Sequence, residues 1–172
     1  MQILQFIRRL IFRFLVRRKQ THLISRRPVT LAAARQIGIL FNAENVAEND
    51  RITAFAADLK AMHKEVQLLG YMPKREFGFH YPFPFICDKD TTWYGKPGGG
   101  TAGFFMRSPF DLLINFSTGE CLPLEYIAAT SPAAFRVGFN KEVENANYDL
   151  ILISAENKDI SNLIRNLENY LQ

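Results

Sequence analysis

A single α/β domain with a mostly parallel sheet, preceded by a basic amphipathic helix, is the fold class the sequence predicts. Three observations carry that reading. Two short apolar runs with a helical stretch between them fill residues 36–71; strand-like and helical segments alternate again after a loop-rich middle; and the first 35 residues are rich in Arg and free of acid.

With 172 residues, 48% apolar and 22% charged, the chain has room for one domain and a sizeable core. Fifteen Phe, six Tyr and one Trp exclude a disordered chain and a small disulfide-stapled scaffold. Cys87 and Cys121 match neither zinc spacing nor a Cys-x-x-Cys redox pair. They read as reduced thiols in or near a core, which points to a reducing, cytoplasmic compartment.

Gln36 to Ala43 (QIGILFNA) is the first central strand, reached through a polar, basic connection. Asn49 or Asp50 caps a helix whose apolar positions Ile52, Phe55, Ala56, Leu59 and Met62 follow helical spacing, and Val66 to Tyr71 is the second strand. This β-α-β unit predicts parallel pairing with a right-handed crossover. Residues 73–107 hold four of the prolines and many of the glycines, and predict loops with at most a short strand at Phe85 to Cys87. Regular structure resumes with a strand at Phe110 to Phe116, a short helix from Pro123 to Thr130, strands at Phe135 to Phe139 and Tyr148 to Ser154, and a helix from Asp159 to Leu171 with Asp159 as its N-cap. The pattern is that of one Rossmann-like or flavodoxin-like three-layer domain over residues 36–172, with a helix at 1–20 and a basic connector at 21–35. Strand order stays open.

Nine of the 21 basic residues and none of the 17 acidic ones precede residue 36, so the leader carries +9 and the remainder −5. That asymmetry suggests an anionic partner. At about 100° per residue, Ile3, Leu4, Ile7, Leu10, Ile11, Phe14 and Leu15 fall within one arc of roughly 140°, with Arg9, Arg13 and Arg17 on the other side. Arg8, Arg9 and Arg13 interrupt the apolar run, which is too short to span a bilayer and too broken for a secretory signal. An acid-free, Arg-rich segment also fits a mitochondrial transit peptide on composition alone. Three other readings stay open: a helix lying on anionic lipid, a basic arm on RNA or the ribosome, and a helix docked on the domain or on a second protein.

Gly38-Ile39-Leu40-Phe41, Trp93-Tyr94-Gly95-Lys96-Pro97, Pro109-Phe110-Asp111-Leu112-Leu113-Ile114, Pro123-Leu124 with Tyr126-Ile127-Ala128-Ala129, and Val137-Gly138 together resemble a domain-of-unknown-function family of short Bacteroidetes proteins. The resemblance covers most of the chain, basic leader included. It implies a bacterial, Rossmann-like protein, lends no catalytic residues, and argues against a transit peptide.

Ligands of open α/β sheets sit beyond the carboxyl ends of the strands, here Asn42 to Asn45, Asp88 to Lys96, Asn115 to Glu120, Asn140 and Ser154. Within these stretches Asn115, Ser117 and Thr118 form one candidate ligand site, ahead of a helix start that favours negative charge. The bland alternative has Ser117 and Thr118 capping that helix and Asn115 closing a strand. Asp88, Asp90, Trp93 and Lys96, with Tyr94, form the other, as a carboxylate pair beside an aromatic surface; alternatively Trp93 packs into a core edge and the carboxylates make turn bonds. Gly95 to Gly100 lacks the Walker pattern and reads as a flexible connector. No Gly-x-Gly-x-x-Gly follows the first strand, and His22, His63 and His80 have no metal spacing, so the sequence predicts neither cofactor nor metal.

The expectation is a non-enzymatic accessory or interaction module at the cytoplasmic face of the inner membrane, without a transmembrane segment. Arg8, Arg9, Arg13 and Arg17 would supply charge; Leu4, Ile7, Leu10, Ile11 and Phe14 would enter the lipid. The rivals are a binder or enzyme for a nucleotide or sugar-phosphate at the strand ends, and an RNA- or ribosome-associated protein. On the membrane reading, a chain lacking residues 1–20 folds on its own.

Overall fold

Strand β1, Gln36–Asn42, lies near the middle of a six-stranded sheet, and its five inner residues are all buried because helices cover both faces. The computed structural model describes residues 2–19, 26–74, 80–139, 147–153 and 159–172, with the side chains of the first helix described over residues 5–17. β1 pairs in parallel with β2, Glu65–Tyr71, on one side and with β4, Leu112–Asn115, on the other. β3, Phe85–Ile86, extends the sheet beyond β2; β5, Phe135–Phe139, and β6, Leu150–Leu152, extend it beyond β4. The order β3-β2-β1-β4-β5-β6, all parallel, is the Rossmann arrangement rather than the flavodoxin one. Its switch point lies between β1 and β4, where the chain stops adding strands on one side and starts on the other.

Helices α2, Val46–Ala61, and α5, Ile160–Tyr170, cover one face, packing Ile52, Phe55, Leu59, Leu163 and Leu167 on Ile39, Phe41 and Val137. Helices α3, Gly99–Phe105, and α4, Leu122–Thr130, cover the other, where Phe105, Leu124 and Ile127 meet Leu40, Leu69 and Leu113. In α4 every residue from Leu122 to Ala129 is buried, and a helix apolar all round but for Glu125 must be covered on both sides. The outer cover is α1, Gln2–Lys19, whose Phe12 and Val16 pack on Leu122, Tyr126 and Ala129.

Several sequence expectations need correction. The cap of α2 is Asn45, whose Oδ1 accepts from the N–H groups of Ala47 (3.0 Å) and Glu48 (3.4 Å). Asn49 and Asp50 lie inside the helix, and Asn49 Nδ2 donates back to the Ala43 carbonyl at 3.0 Å. Asp159 occupies the cap position of α5, but its carboxylate takes Arg51 Nη1 at 2.9 and 3.0 Å instead of the helix N–H groups. The expected flexible connector at Gly95 to Gly100 is ordered: Thr91 and Pro97 form a bridge, and Gly99 opens α3. Burial of Ala102 and Phe105 outweighs three poor helix formers there. Strand ends are also shorter than their apolar runs; β4 spans four residues and β6 three. Expected features at His22, Asn140 and Ser154 lie outside the described residues.

The connector is not free of the domain either. Arg27 N–H donates to the Ala134 carbonyl at 3.2 Å, Leu31 N–H to that of Leu171 at 2.6 Å, and Val29 and Ala34 are buried. Where it enters β1, the Asp111 carboxylate accepts from the N–H groups of Arg35 (2.9 Å) and Gln36 (3.0 Å). Partial burial raises the Asp111 pKa, but these two bonds and the nearby Arg27 and Arg35 charges outweigh it and hold the group below its usual value.

Candidate functional site

The strands end, on their carboxyl side, beside a crevice of about 370 Å3 at the switch point. Its floor is the end of β1 and β2, with Asn42 opposite Tyr71 in the register; Glu44 rises from the β1–α2 connection, and Glu120, Cys121, Leu122 and Pro123 lead into α4. The roof is α1, through Gln5, Arg8 and Arg9. Spacing explains why Arg8 turns inward while Gln5 and Arg9 stay exposed at the edge. Arg8, Phe12 and Val16 follow one another at four-residue intervals, so the stripe that docks on α4 brings Arg8 over the strand ends.

Arg9 is held at the rim by a two-pronged pair with Glu120, at 3.0 and 2.7 Å. Among the described residues Arg8 has no such partner. Its Nε is shielded from solvent and donates to nothing among the described residues, and Asn42 Oδ1 is equally shielded and accepts from nothing there. Tyr71 donates to Asp88 Oδ1 at 2.5 Å. Burial pushes the phenol well above its usual pKa, the bond to Asp88 and the nearby Cys121 and Asp88 push it further, and Arg8 pulls the other way. Tyr71 is therefore a neutral donor at physiological pH, already spent on Asp88.

The residues singled out from sequence go elsewhere. Asn115 and Ser117 are buried in a polar core network: Asn115 Nδ2 donates to the Tyr148 hydroxyl at 2.7 Å, Tyr148 donates to Glu125 Oε2 at 2.9 Å, and Asn115 Oδ1 accepts from the Ser117 amide and hydroxyl. Burial drives the Tyr148 pKa well above its ordinary value, with the Glu125 charge adding to it. Thr118 is half-buried, and neither it nor Ser117 caps α4, whose N-cap position is Cys121. Asp90 folds back on its own turn, accepting from the Cys87 amide (2.9 Å) and thiol (3.1 Å). Cys87 and Cys121 are both buried thiols.

Trp93 contradicts the expected core-edge packing: it is 55% exposed, with its ring edge-on to Tyr94. Lys96 is half-buried in the turn closed by Thr92. None of Asn115, Ser117, Thr118, Asp88, Asp90, Trp93 and Lys96 lines the crevice, although Asp88 reaches its edge through Tyr71. Among the described residues no group of three His, Cys, Asp or Glu is placed to hold a metal ion; His63 closes the α2–β2 turn at positive φ, and His80 is exposed.

The leader set divides in two. Ile7 (41% exposed), Leu10 (49%) and Phe14 (64%) face solvent together with Phe6, and Arg13 and Arg17 are exposed beside them. Ile11 is half-buried and Arg8 turns into the crevice, so these two leave the outward face; the Leu4 side chain lies outside the described residues. The widest apolar arc of the helix is thus not the one that docks. Docking selects Phe12 and Val16, on the flank that fits the Tyr126 and Ala129 surface.

Fold and crevice together define a parallel α/β domain of Rossmann order with a polar, helix-roofed opening at its switch point. The chain belongs to DUF6913, a family of unknown function, which it matches over residues 8–172. No curated protein matches it significantly.

Proposed function

We propose that this protein is a non-enzymatic accessory or interaction module that associates peripherally with an anionic membrane through α1. One observation carries the reading: α1 satisfies its domain contact with Phe12 and Val16, yet keeps Phe6, Ile7, Leu10 and Phe14 in solvent, with Arg13 and Arg17 along the same face. No helix among the described residues is long and apolar enough to cross a membrane. A helix with an apolar face and flanking arginines lies in the interface plane instead, its apolar side chains at the acyl boundary and each nearby Arg gaining about 1 kcal/mol from anionic headgroups. In a bacterium, the origin implied by the sequence resemblance, that surface is the cytoplasmic leaflet of the inner membrane. A purely electrostatic arm on RNA would leave the four apolar side chains without a role.

Flotation of the chain with vesicles tests this. Anionic vesicles are expected to carry it up and neutral ones not, with binding that outlasts high salt. The double substitution Leu10→Glu with Phe14→Glu is expected to weaken binding at least about tenfold while leaving the melting midpoint within a few degrees, because both positions are exposed. Equal recovery of wild type and variant, or no flotation at either salt, overturns the reading.

A further inference from the structure

Among the described residues, the crevice under α1 holds an arginine with no ion pair and a shielded amide oxygen with no donor. Burying such groups without partners costs free energy, and a structure that carries two of them around one opening is arranged for something that supplies both. The opening sits at the switch point of a Rossmann-order sheet, where ligands of open α/β sheets bind. We infer that it is a binding site for a small phosphorylated polyol, with Arg8 holding the phosphate and Asn42 Oδ1 and Glu44 accepting from the hydroxyl groups.

The chemistry of the walls selects that class. Arg9 is already neutralised by Glu120, so the charge left to satisfy on the roof is that of Arg8, whose fork-shaped guanidinium suits a phosphate. The start of α4, at Cys121 and Leu122, adds the positive end of a helix on the same side. Asn42 Oδ1 and the Glu44 carboxylate are acceptors, and a polyol brings hydroxyl donors to them. A volume of about 370 Å3 is at the small end of ligand sites, enough for a pentose phosphate. The source is a soluble molecule, since Arg8 lies on the docked side of α1, away from the outward face of Leu10 and Phe14. The assignment does not rest on membrane binding, and it gives Arg8 a role the charge pattern alone did not show.

Titration calorimetry of the whole chain, with ribose 5-phosphate as probe and ribose, inorganic phosphate and glycine as comparisons, tests the assignment. Ribose 5-phosphate is expected to bind at least about tenfold more tightly than any of the other three. Arg8→Gln should weaken it at least about tenfold, and Asn42→Ala at least about threefold. Asn42→Ala is also expected to leave the melting midpoint of the free protein unchanged or raised, because it removes a shielded acceptor that has no donor. No detectable binding of ribose 5-phosphate overturns the assignment. So does glycine or phosphate binding as tightly, or an affinity that neither substitution changes.

Discussion

Asp149→Ala is expected to destabilise the protein by about 3–5 kcal/mol, a large share of the stability of a domain this size. Arg136 projects from β5 into the interior, where its side chain is 6% exposed. Asp149 is the group that neutralises it: Oδ2 accepts from Nε at 3.1 Å and from the Arg136 amide at 2.8 Å, and Oδ1 accepts from Nη2 at 3.1 Å. The same carboxylate also faces Arg26 at 3.9 Å. Removing it leaves a desolvated guanidinium beside a second cation and strips the β5 edge of an acceptor, so the melting midpoint should fall on the order of 10 °C. The double change Arg136→Met with Asp149→Leu is expected to recover most of the loss, since replacing a buried pair by apolar side chains removes the desolvation cost along with the attraction. The amide at position 136 then stays unmatched, at about 1 kcal/mol, while Arg26 loses the carboxylate it faces and the Ala128 carbonyl loses a donor at 3.5 Å, so the recovery is not complete. Thermal melts of the single and double variants measure this.

Gly95→Ala is expected to cost about 2–4 kcal/mol through two coupled conflicts. Gly95 has φ +88°, where a side chain strains the backbone, and an added Cβ would stand 2.4 Å from the Cβ of Leu122. Leu122 is the first residue of α4 and a wall of the crevice, so the turn at Trp93 to Pro97 and the helix start are fitted to each other by the missing side chain. Because the severe clash is with a Cβ that alanine retains, and only the milder contacts to Cδ1 and Cγ are lost, adding Leu122→Ala should bring its own cost and relieve little; chemical denaturation of the single and double variants checks that.

Much of the fold was legible because the sheet is buried on both faces. The inner residues of QIGILFN are a continuous apolar run and FRVGF is apolar but for Arg136, as a central parallel strand requires, and the amphipathic spacing of Ile160, Leu163 and Leu167 marks α5 without ambiguity. Helix α3 was hidden because Gly99, Gly100 and Gly103 have poor helix propensity; long-range packing of Ala102 and Phe105 forms it, and a local pattern does not see such contacts. The α2 boundary slipped by one turn because Asn45, Asn49 and Asp50 are all good caps by residue type, and the end of β1 decides among them.

The site was less legible than the fold. Position at the strand ends located the crevice in general, and Asn42, Glu44 and Glu120 lie within the stretches it picked out. Asn115 and Ser117 were misleading: polar residues at a strand end look alike whether they face a crevice or, as here, a buried Tyr148. Arg8 looked like one more surface charge. The signal that separates it is the i, i+4, i+8 row Arg8–Phe12–Val16, and that row acquires meaning only once α4 is known to be buried from both sides.

Helix α1 holds the domain with one face, and the proposed membrane association requires that the other enter lipid. A polarity-sensitive fluorophore attached through Leu10→Cys, with the same label at Met62→Cys in the exposed end of α2 as reference, reads it directly on the whole chain, since the native Cys87 and Cys121 are buried. Anionic vesicles are expected to shift the emission at position 10 to the blue and expose it to quenching by brominated lipid, with no change at position 62. Emission at position 10 that stays water-like in the presence of anionic vesicles would contradict the account.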